Sequence, residues 1–230
     1  GFNLVYSGNH RETAEGNNRR QLRFLSGIGG LFEWTLEAGE TFTAPEAVMT
    51  FGENRDEVTS SMQTFAAEHI VRGRWQKRVR PVLVNNWEGT YFAFDRERIL
   101  TIAKASAEAG AELFVLDDGW FGHRDDDTSS LGDWTDYAEK TGGLASLADE
   151  IRALGLKFGI WMEPEMISED SELYAKHPEF AMRPMRREPA RMRNQLMLNL
   201  ADKQVQNYVV RAVSNIIAST KAAYVKWDYN

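Results

Sequence analysis

The segment Glu112-Leu113-Phe114-Val115-Leu116-Asp117-Asp118-Gly119-Trp120 decides the fold. Its near-continuous apolar run is the kind of strand that lies buried on both faces of a parallel sheet, and it gives way within one residue to two carboxylates. The same unit recurs on either side. Upstream, Pro81-Val82-Leu83-Val84-Asn85-Asn86-Trp87 reads as a strand, followed by a helix over roughly 95–109 with Ile99, Leu100, Ala103 and Ala107 on one face. Downstream, a polar loop over 121–141 leads to a helix over 144–154 with Gly155 as its C′ residue, then to the strand Lys157-Phe158-Gly159-Ile160-Trp161. A helix near 171–177, a variable basic loop and a long helix over 203–219 precede a fourth strand over 223–227.

Four β–α units in about 150 residues suit either a doubly wound sheet or half of a (β/α)8 TIM-type barrel. The polar residues at the strand ends favour the barrel. Asn85, Asn86 and Trp87 end the first strand, Asp117, Asp118 and Trp120 the second, Trp161, Glu163 and Glu165 the third, and Lys226, Trp227 and Asp228 the fourth. In a barrel all of them would face one pocket at the C-terminal end of the strands. A tryptophan beside a carboxylate or an amide at each station suits a sugar, whose apolar face packs on indole while its hydroxyls bond to the polar groups. No glycine signature of a dinucleotide site opens a helix, since Gly27-Ile28-Gly29-Gly30 lies in a β-rich region.

Residues 1–75 have a different texture. Gln21-Leu22-Arg23-Phe24-Leu25 and Leu31-Phe32-Glu33-Trp34-Thr35-Leu36 alternate between turns at Gly29-Gly30, Gly39 and Pro45, which predicts antiparallel strands at the C-terminal end of a β-sandwich. An amphipathic helix over 54–69 follows. The expected division is therefore a sandwich remnant with its connecting helix over 1–75 and a half-barrel over 76–230.

Composition narrows the function. The 230 residues are 43% hydrophobic and carry 27 Lys and Arg against 34 Asp and Glu, a net charge of −7. That excess removes the electrostatic basis for non-specific binding to nucleic acid or to an anionic membrane. Cysteine is absent, so disulfides, thiolate metal sites and a cysteine nucleophile are excluded, and a cytoplasmic location is consistent with the composition. No apolar run is long enough to span a bilayer, and no signal peptide is visible. The chain begins at Gly1 and ends just after Tyr224-Val225-Lys226-Trp227-Asp228-Tyr229, from which a piece of a longer protein is expected.

Six segments in order, Arg80 to Glu88, Leu116 to Gly122, Gly132-Asp133-Trp134, Gly159 to Met166, Arg193 to Leu196 and Tyr224 to Asn230, strongly resemble the α-galactosidases of glycoside hydrolase family 36. Each is weak alone; together in register they are specific. The resemblance implies a retaining hydrolase of terminal α-galactosyl residues on melibiose- or raffinose-type oligosaccharides, with no cofactor or metal and a homo-oligomeric parent. It implies that Asp228 is the catalytic nucleophile, a carboxylate that must stay ionised to attack the anomeric carbon. Lys226 is two residues earlier, hence on the same side of the strand, and is expected to favour that ionised form and to bond the sugar. By the same resemblance Asp117 and Asp118 bond galactose hydroxyls, Trp161, Arg193 and Asn230 make further substrate contacts, and Trp87 forms an aromatic wall. The partner acid/base is expected beyond Asn230. Glu163 and Glu165, separated by Pro164, read as a structural loop.

Plainer readings remain on the sequence alone. An Asx turn explains Asp117 and Asp118, barrel core explains Trp87 and Trp161, and a solvated loop explains Arg193. The acidic loop from Asp125 lacks the glycine and glutamate of a calcium loop, with Ser130 and Asp136 at those positions. At the level of function, a non-catalytic galactose-binding protein, an α-galactosyl transferase and an α-N-acetylgalactosaminidase also remain.

Overall fold

The computed structural model describes residues 1–30, 32–183, 188–189 and 191–230. Contacts divide it into two units, Gly1–Arg80 and Pro81–Asn230.

The first unit contains strands β1 (Phe2–Leu4), β2 (His10–Gly16), β3 (Leu22–Ile28) and β4 (Ala47–Met49), then helix α1 (Arg55–Phe65). β2 and β3 form an antiparallel hairpin with register from His10↔Ile28 to Gly16↔Leu22, and β1 pairs antiparallel with β4. The Asn17 side chain closes the hairpin turn by accepting the N–H groups of Arg19 and Gln21. α1 starts at Asn54, whose Oδ1 accepts the Glu57 N–H at 3.0 Å. It passes into a π-helical turn over Ala66–Ile70, so the apolar stripe expected over 54–69 changes pitch near its end. The strand expected at 31–36 does not form over residues 32–36, and Leu31 lies outside the described residues. The alternation there serves an aromatic contact instead, with Phe32 and Trp34 packing on Phe42 at 5.5 and 5.2 Å between ring centroids.

The second unit carries β5 (Leu83–Asn85), α2 (Trp87–Thr90), α3 (Arg96–Glu108), β6 (Leu113–Leu116), α4 (Ala138–Thr141), α5 (Leu144–Ala153), β7 (Lys157–Met162), β8 (Met166–Ile167), α6 (Glu172–Lys176), β9 (Arg191–Met192), β10 (Gln195–Met197), α7 (Lys203–Thr220) and β11 (Tyr224–Trp227). The side chains of Asp95 and Asp202 cap α3 and α7.

β5, β6, β7 and β11 form one parallel sheet in chain order. Every crossover therefore steps in the same direction, and right-handed connections then place the helices on a single face. The core agrees: Phe114, Leu116, Phe158, Ile160 and Met162, which alternate on one face of β6 and β7, cluster with Ile99 and Ala103 of α3, Leu147 and Ile151 of α5 and Ile216 of α7. A doubly wound sheet would reverse its strand order and take helices on both faces. The opposite face is open in places, with Leu83 40% and Tyr224 41% exposed. On that face Gly159 sits between Val115 and Tyr224, where a Cβ would lie 3.0 Å from the Val115 Cγ2 and 3.1 Å from the Tyr224 Cδ1.

The stretch between β7 and α7 holds more order than the predicted loop. β8, β10 and β9 make a small antiparallel sheet. Arg193 and Asn194 join β9 to β10 with φ of 49° and 65°, the positive values that a two-residue hairpin turn of type I′ requires. Residues 184–187 and 190 of the basic run lie outside the described residues. Among the described residues no helix is long and apolar enough to cross a membrane.

Candidate active site at the strand ends

Strand register assembles the site. Lys226 pairs with Trp161 across β11 and β7, and Leu116 pairs with Ile160 across β6 and β7, so Asp117 emerges level with both. Paired residues of parallel strands point to the same face. The Lys226 Nζ donates to the Asp117 Oδ2 at 2.9 Å, across 109 residues of chain. Asp117 also accepts from the Asn85 amide, which stands on the same face at the end of β5, while the Asn86 Oδ1 accepts the Asp117 N–H at 2.8 Å. The strand ends at Leu116, so Asp117 and Asp118 both lie where ladder geometry gives way to loop.

Asp228 follows β11 by one residue. Its N–H donates to the Met162 carbonyl, extending the β7–β11 contact beyond the strand, and its Oδ2 accepts the Trp161 indole N–H at 3.0 Å. Burial pushes the carboxyl up, but hydrogen bonds from Trp161, Asn230 and the Tyr229 N–H, together with the charge of Lys226, hold it below the ordinary aspartate value. A carboxylate so held is ionised throughout the neutral range, as a nucleophile must be. Lys226 thus helps Asp228 through its charge, whereas its direct ion pair is with Asp117.

Trp161 is itself fixed. The Trp120 indole N–H donates to the Trp161 carbonyl at 2.9 Å, and the Phe121 ring stacks on Trp161 at 6.1 Å and 11° between planes. Trp134 completes this aromatic group at 4.5 Å from Phe121.

Asp118 faces a different partner. Arg124, buried beneath the Phe92 and Phe121 rings, donates from Nε and Nη2 to its carboxylate, the shorter contacts being 3.0 and 2.9 Å. Burial pushes the Asp118 carboxyl above its usual value, while the Arg124 guanidinium pulls in the opposite direction.

Of the residues singled out in the sequence, Asp117, Trp161, Lys226, Asp228 and Asn230 stand in one group of strand ends linked by hydrogen bonds and charge. Trp87 adjoins this group at the start of α2, its N–H donating to Asn85 and its ring meeting Tyr91 and Phe92 edge-on. Asp118 adjoins it through its own N–H, which donates to the Asp117 Oδ1 at 2.9 Å. Arg193, exposed at the β9–β10 turn, makes no hydrogen bond to the others among the described residues.

Arg124, Glu163 and Gln195 were not singled out as site residues. Glu163 is buried and accepts the Asn230 N–H at 2.6 Å and the Gln195 side-chain amide at 2.9 Å. Glu165 accepts the Trp227 indole N–H at 2.8 Å. The signal for Glu163 was its spacing of two residues from Trp161, just past the strand. Gln195 lies within the segment 193–196 that carries the family resemblance, while nothing in the acidic stretch around Arg124 marked it as buried.

The Melibiase family model matches residues 41–230. An α-galactosidase of Lactobacillus acidophilus is 43% identical over the whole chain, and α-galactosidase AgaA of Geobacillus stearothermophilus 44%. The chain spans about a third of the length of these relatives, 32% in each case. A crystal structure of an AgaA variant in complex with raffinose superposes over the whole chain and 32% of its own length, with a TM-score of 0.95 at 44% identity. Another AgaA variant, in complex with stachyose, superposes over 98% of this chain and 32% of its own, with a TM-score of 0.94 at 43% identity. With the family model matching most of its length, this chain belongs to the Melibiase family.

Proposed function

We propose that the protein to which this chain belongs is a retaining α-galactosidase that hydrolyses terminal α-galactosyl residues from raffinose-type oligosaccharides. The observation that carries the reading is Asp228, held ionised at a strand end beside Trp161 and level with the Lys226–Asp117 pair. Its carboxylate attacks the anomeric carbon as the bond to the leaving oxygen breaks, and that oxygen takes a proton from an acid about 5–5.5 Å away. Water, deprotonated by the same group, then attacks the galactosyl ester, releases galactose with its configuration retained and restores Asp228.

In this reading the acid/base is supplied by a strand beyond Asn230. Asp117, Asp118 and Lys226 bond the galactose hydroxyls, Trp161 and Trp87 pack on its apolar surface, and Asn230 and Arg193 complete the polar contacts. The second unit is the first half of a (β/α)8 barrel, a reading supported by the chain-order parallel sheet, the single helical face and the open opposite face. The first unit is the end of a β-sandwich, consistent with a hairpin that leaves Leu22 71% and Phe24 57% exposed. The whole protein acts in the cytoplasm as a homo-oligomer without a cofactor.

The test is an Asp228→Asn variant of the full-length protein assayed on an aryl α-galactoside. The expected outcome is a loss of roughly four orders of magnitude or more in kcat, with azide restoring turnover as the β-galactosyl azide. A variant that keeps near-parental turnover contradicts the reading.

A further inference from the structure

The end of β7 and the residues just after it grip the end of β11 and the residues that follow it at four points. The Met162 carbonyl accepts the Asp228 N–H, the Trp161 indole donates to the Asp228 carboxylate, Glu163 accepts the Asn230 N–H and Glu165 accepts the Trp227 indole N–H. Residues 227, 228 and 230 are therefore each tied to the same short stretch, 161–165.

Glu163 is the unusual member. It is 1% exposed, and its Oε1 is shared between the Asn230 N–H and the amide of Gln195, itself 1% exposed on the β9–β10 hairpin. Gln195 also reaches the Asn230 carbonyl at 3.4 Å, so both backbone ends of Asn230 are held by the Glu163–Gln195 pair. A buried carboxylate is an expensive acceptor for one backbone N–H, since a neutral amide or a carbonyl would satisfy it at lower desolvation cost. It also faces Asp228, a second negative charge.

We propose that Glu163 is a positioning residue of the catalytic centre: with Gln195 it fixes the Asp228-Tyr229-Asn230 segment, and it does so as a second carboxylate beside Asp228. This rests on Asp228 being the nucleophile. The repulsion between the two carboxylates is mutual, and burial together with Asp228 pushes the Glu163 carboxyl above its ordinary value against the hydrogen bonds from Asn230 and Gln195. The other charged groups around the pair are Lys226 on β11, which offsets part of the repulsion, Asp117 at the end of β6, which shares that lysine, and Glu165, spent on Trp227. Among the described residues of the hairpin, the one bonded to this group is the neutral Gln195, while Arg191 pairs with Glu169 and Arg193 is exposed.

The experiment compares Glu163→Gln and Glu163→Ala in the full-length protein, with Asp228→Asn as reference and circular dichroism to establish that each is folded. Glu163→Ala removes the acceptor, and kcat on an aryl α-galactoside is expected to fall on the order of a hundredfold through misplacement of the segment. Glu163→Gln restores an acceptor of the same shape without charge. It is expected to recover most of that loss and to move the acid limb of the kcat/KM profile to lower pH, because Asp228 no longer faces a negative charge. A folded Glu163→Ala enzyme within about threefold of the parent, or a Gln variant whose acid limb stays in place, overturns the proposal. Should Asp228→Asn itself remain active, the nucleophile reading fails instead, and the two failures are thereby distinguished.

Discussion

The indole Nε1 of Trp161 lies 3.0 Å from the Oδ2 of Asp228 and donates to it, joining residues 67 positions apart in the chain. Trp161, one residue before the end of β7, pairs with Lys226 and lies on the same face, so sheet register rather than loop conformation sets this contact. Hydrogen bonding is what overcomes burial at Asp228, and Trp161 supplies the largest share of it. Trp161→Phe keeps the aromatic face and removes the donor. The Asp228 carboxyl then rises, and the acid limb of kcat/KM is expected to move to higher pH, opposite in sign to the Glu163→Gln shift. A pH–rate profile on an aryl α-galactoside reads it, and an unmoved limb contradicts the role given to the indole.

Arg124 and Asp118 form a buried pair with side-chain exposures of 2% and 8%. Removing one partner strands the other charge away from water. Arg124→Met is expected to cost about 3–5 kcal/mol of stability, whereas Arg124→Met combined with Asp118→Asn costs far less because no unpaired charge remains. Thermal unfolding of the two variants measures the difference, and equal melting temperatures refute the coupling.

Lys226 serves Asp117 directly and Asp228 at longer range. Lys226→Met leaves the Asp117 carboxylate, 2% exposed, with the Asn85 amide but no cation. The loss of that charge-assisted bond is expected to cost about 1–3 kcal/mol of stability. On the sugar-binding role proposed for Asp117 it should raise KM for galactosides, and it should move the acid limb upward, as the Asp228 carboxyl loses the lowering charge of Lys226. Steady-state kinetics across pH reads both effects.

Glu163 gives stability a definite dependence on pH. Its folded-state pKa lies above the unfolded value of about 4.3, so between the two the folded protein binds more protons than the unfolded one. Stability contributed by this group therefore falls as pH rises through that window and recovers as pH is lowered through it. Glu163→Gln removes the titration. The variant is expected to show a flatter dependence of melting temperature on pH across the mildly acidic range, and an unchanged slope refutes the assignment.

What the sequence disclosed and what it hid divide along a physical line. The apolar runs at 113–116 and 157–162 declare buried parallel strands because burial on both faces leaves no polar alternation. Asp117, Lys226 and Asp228 were visible because the segments around them, 116–122 and 224–230, resemble those of a known family; alone, a strand-end carboxylate reads as a cap or turn residue and a lysine as a surface charge. The β9–β10 hairpin escaped notice because strands of two and three residues are too short to show periodicity, and its turn uses Arg193-Asn194 without a glycine. The burial of Arg124 and Gln195 escaped because it depends on a specific partner, Asp118 six residues before Arg124 and Glu163 32 residues before Gln195, and spacing alone does not announce such a pair. At 32–36 alternation predicted a strand, but aromatic packing on Phe42 used those side chains without a ladder.

The most direct test of the central claim, that Asp228 is the nucleophile, is covalent trapping. The full-length protein is treated with a fluorinated galactosyl fluoride, whose fluorine slows breakdown of the glycosyl ester more than its formation, and the labelled peptide is sequenced by mass spectrometry. One galactosyl adduct per chain on Asp228, absent from the Asp228→Asn variant, is the expected result; an adduct on any other carboxylate, or continued labelling of the variant, contradicts the account.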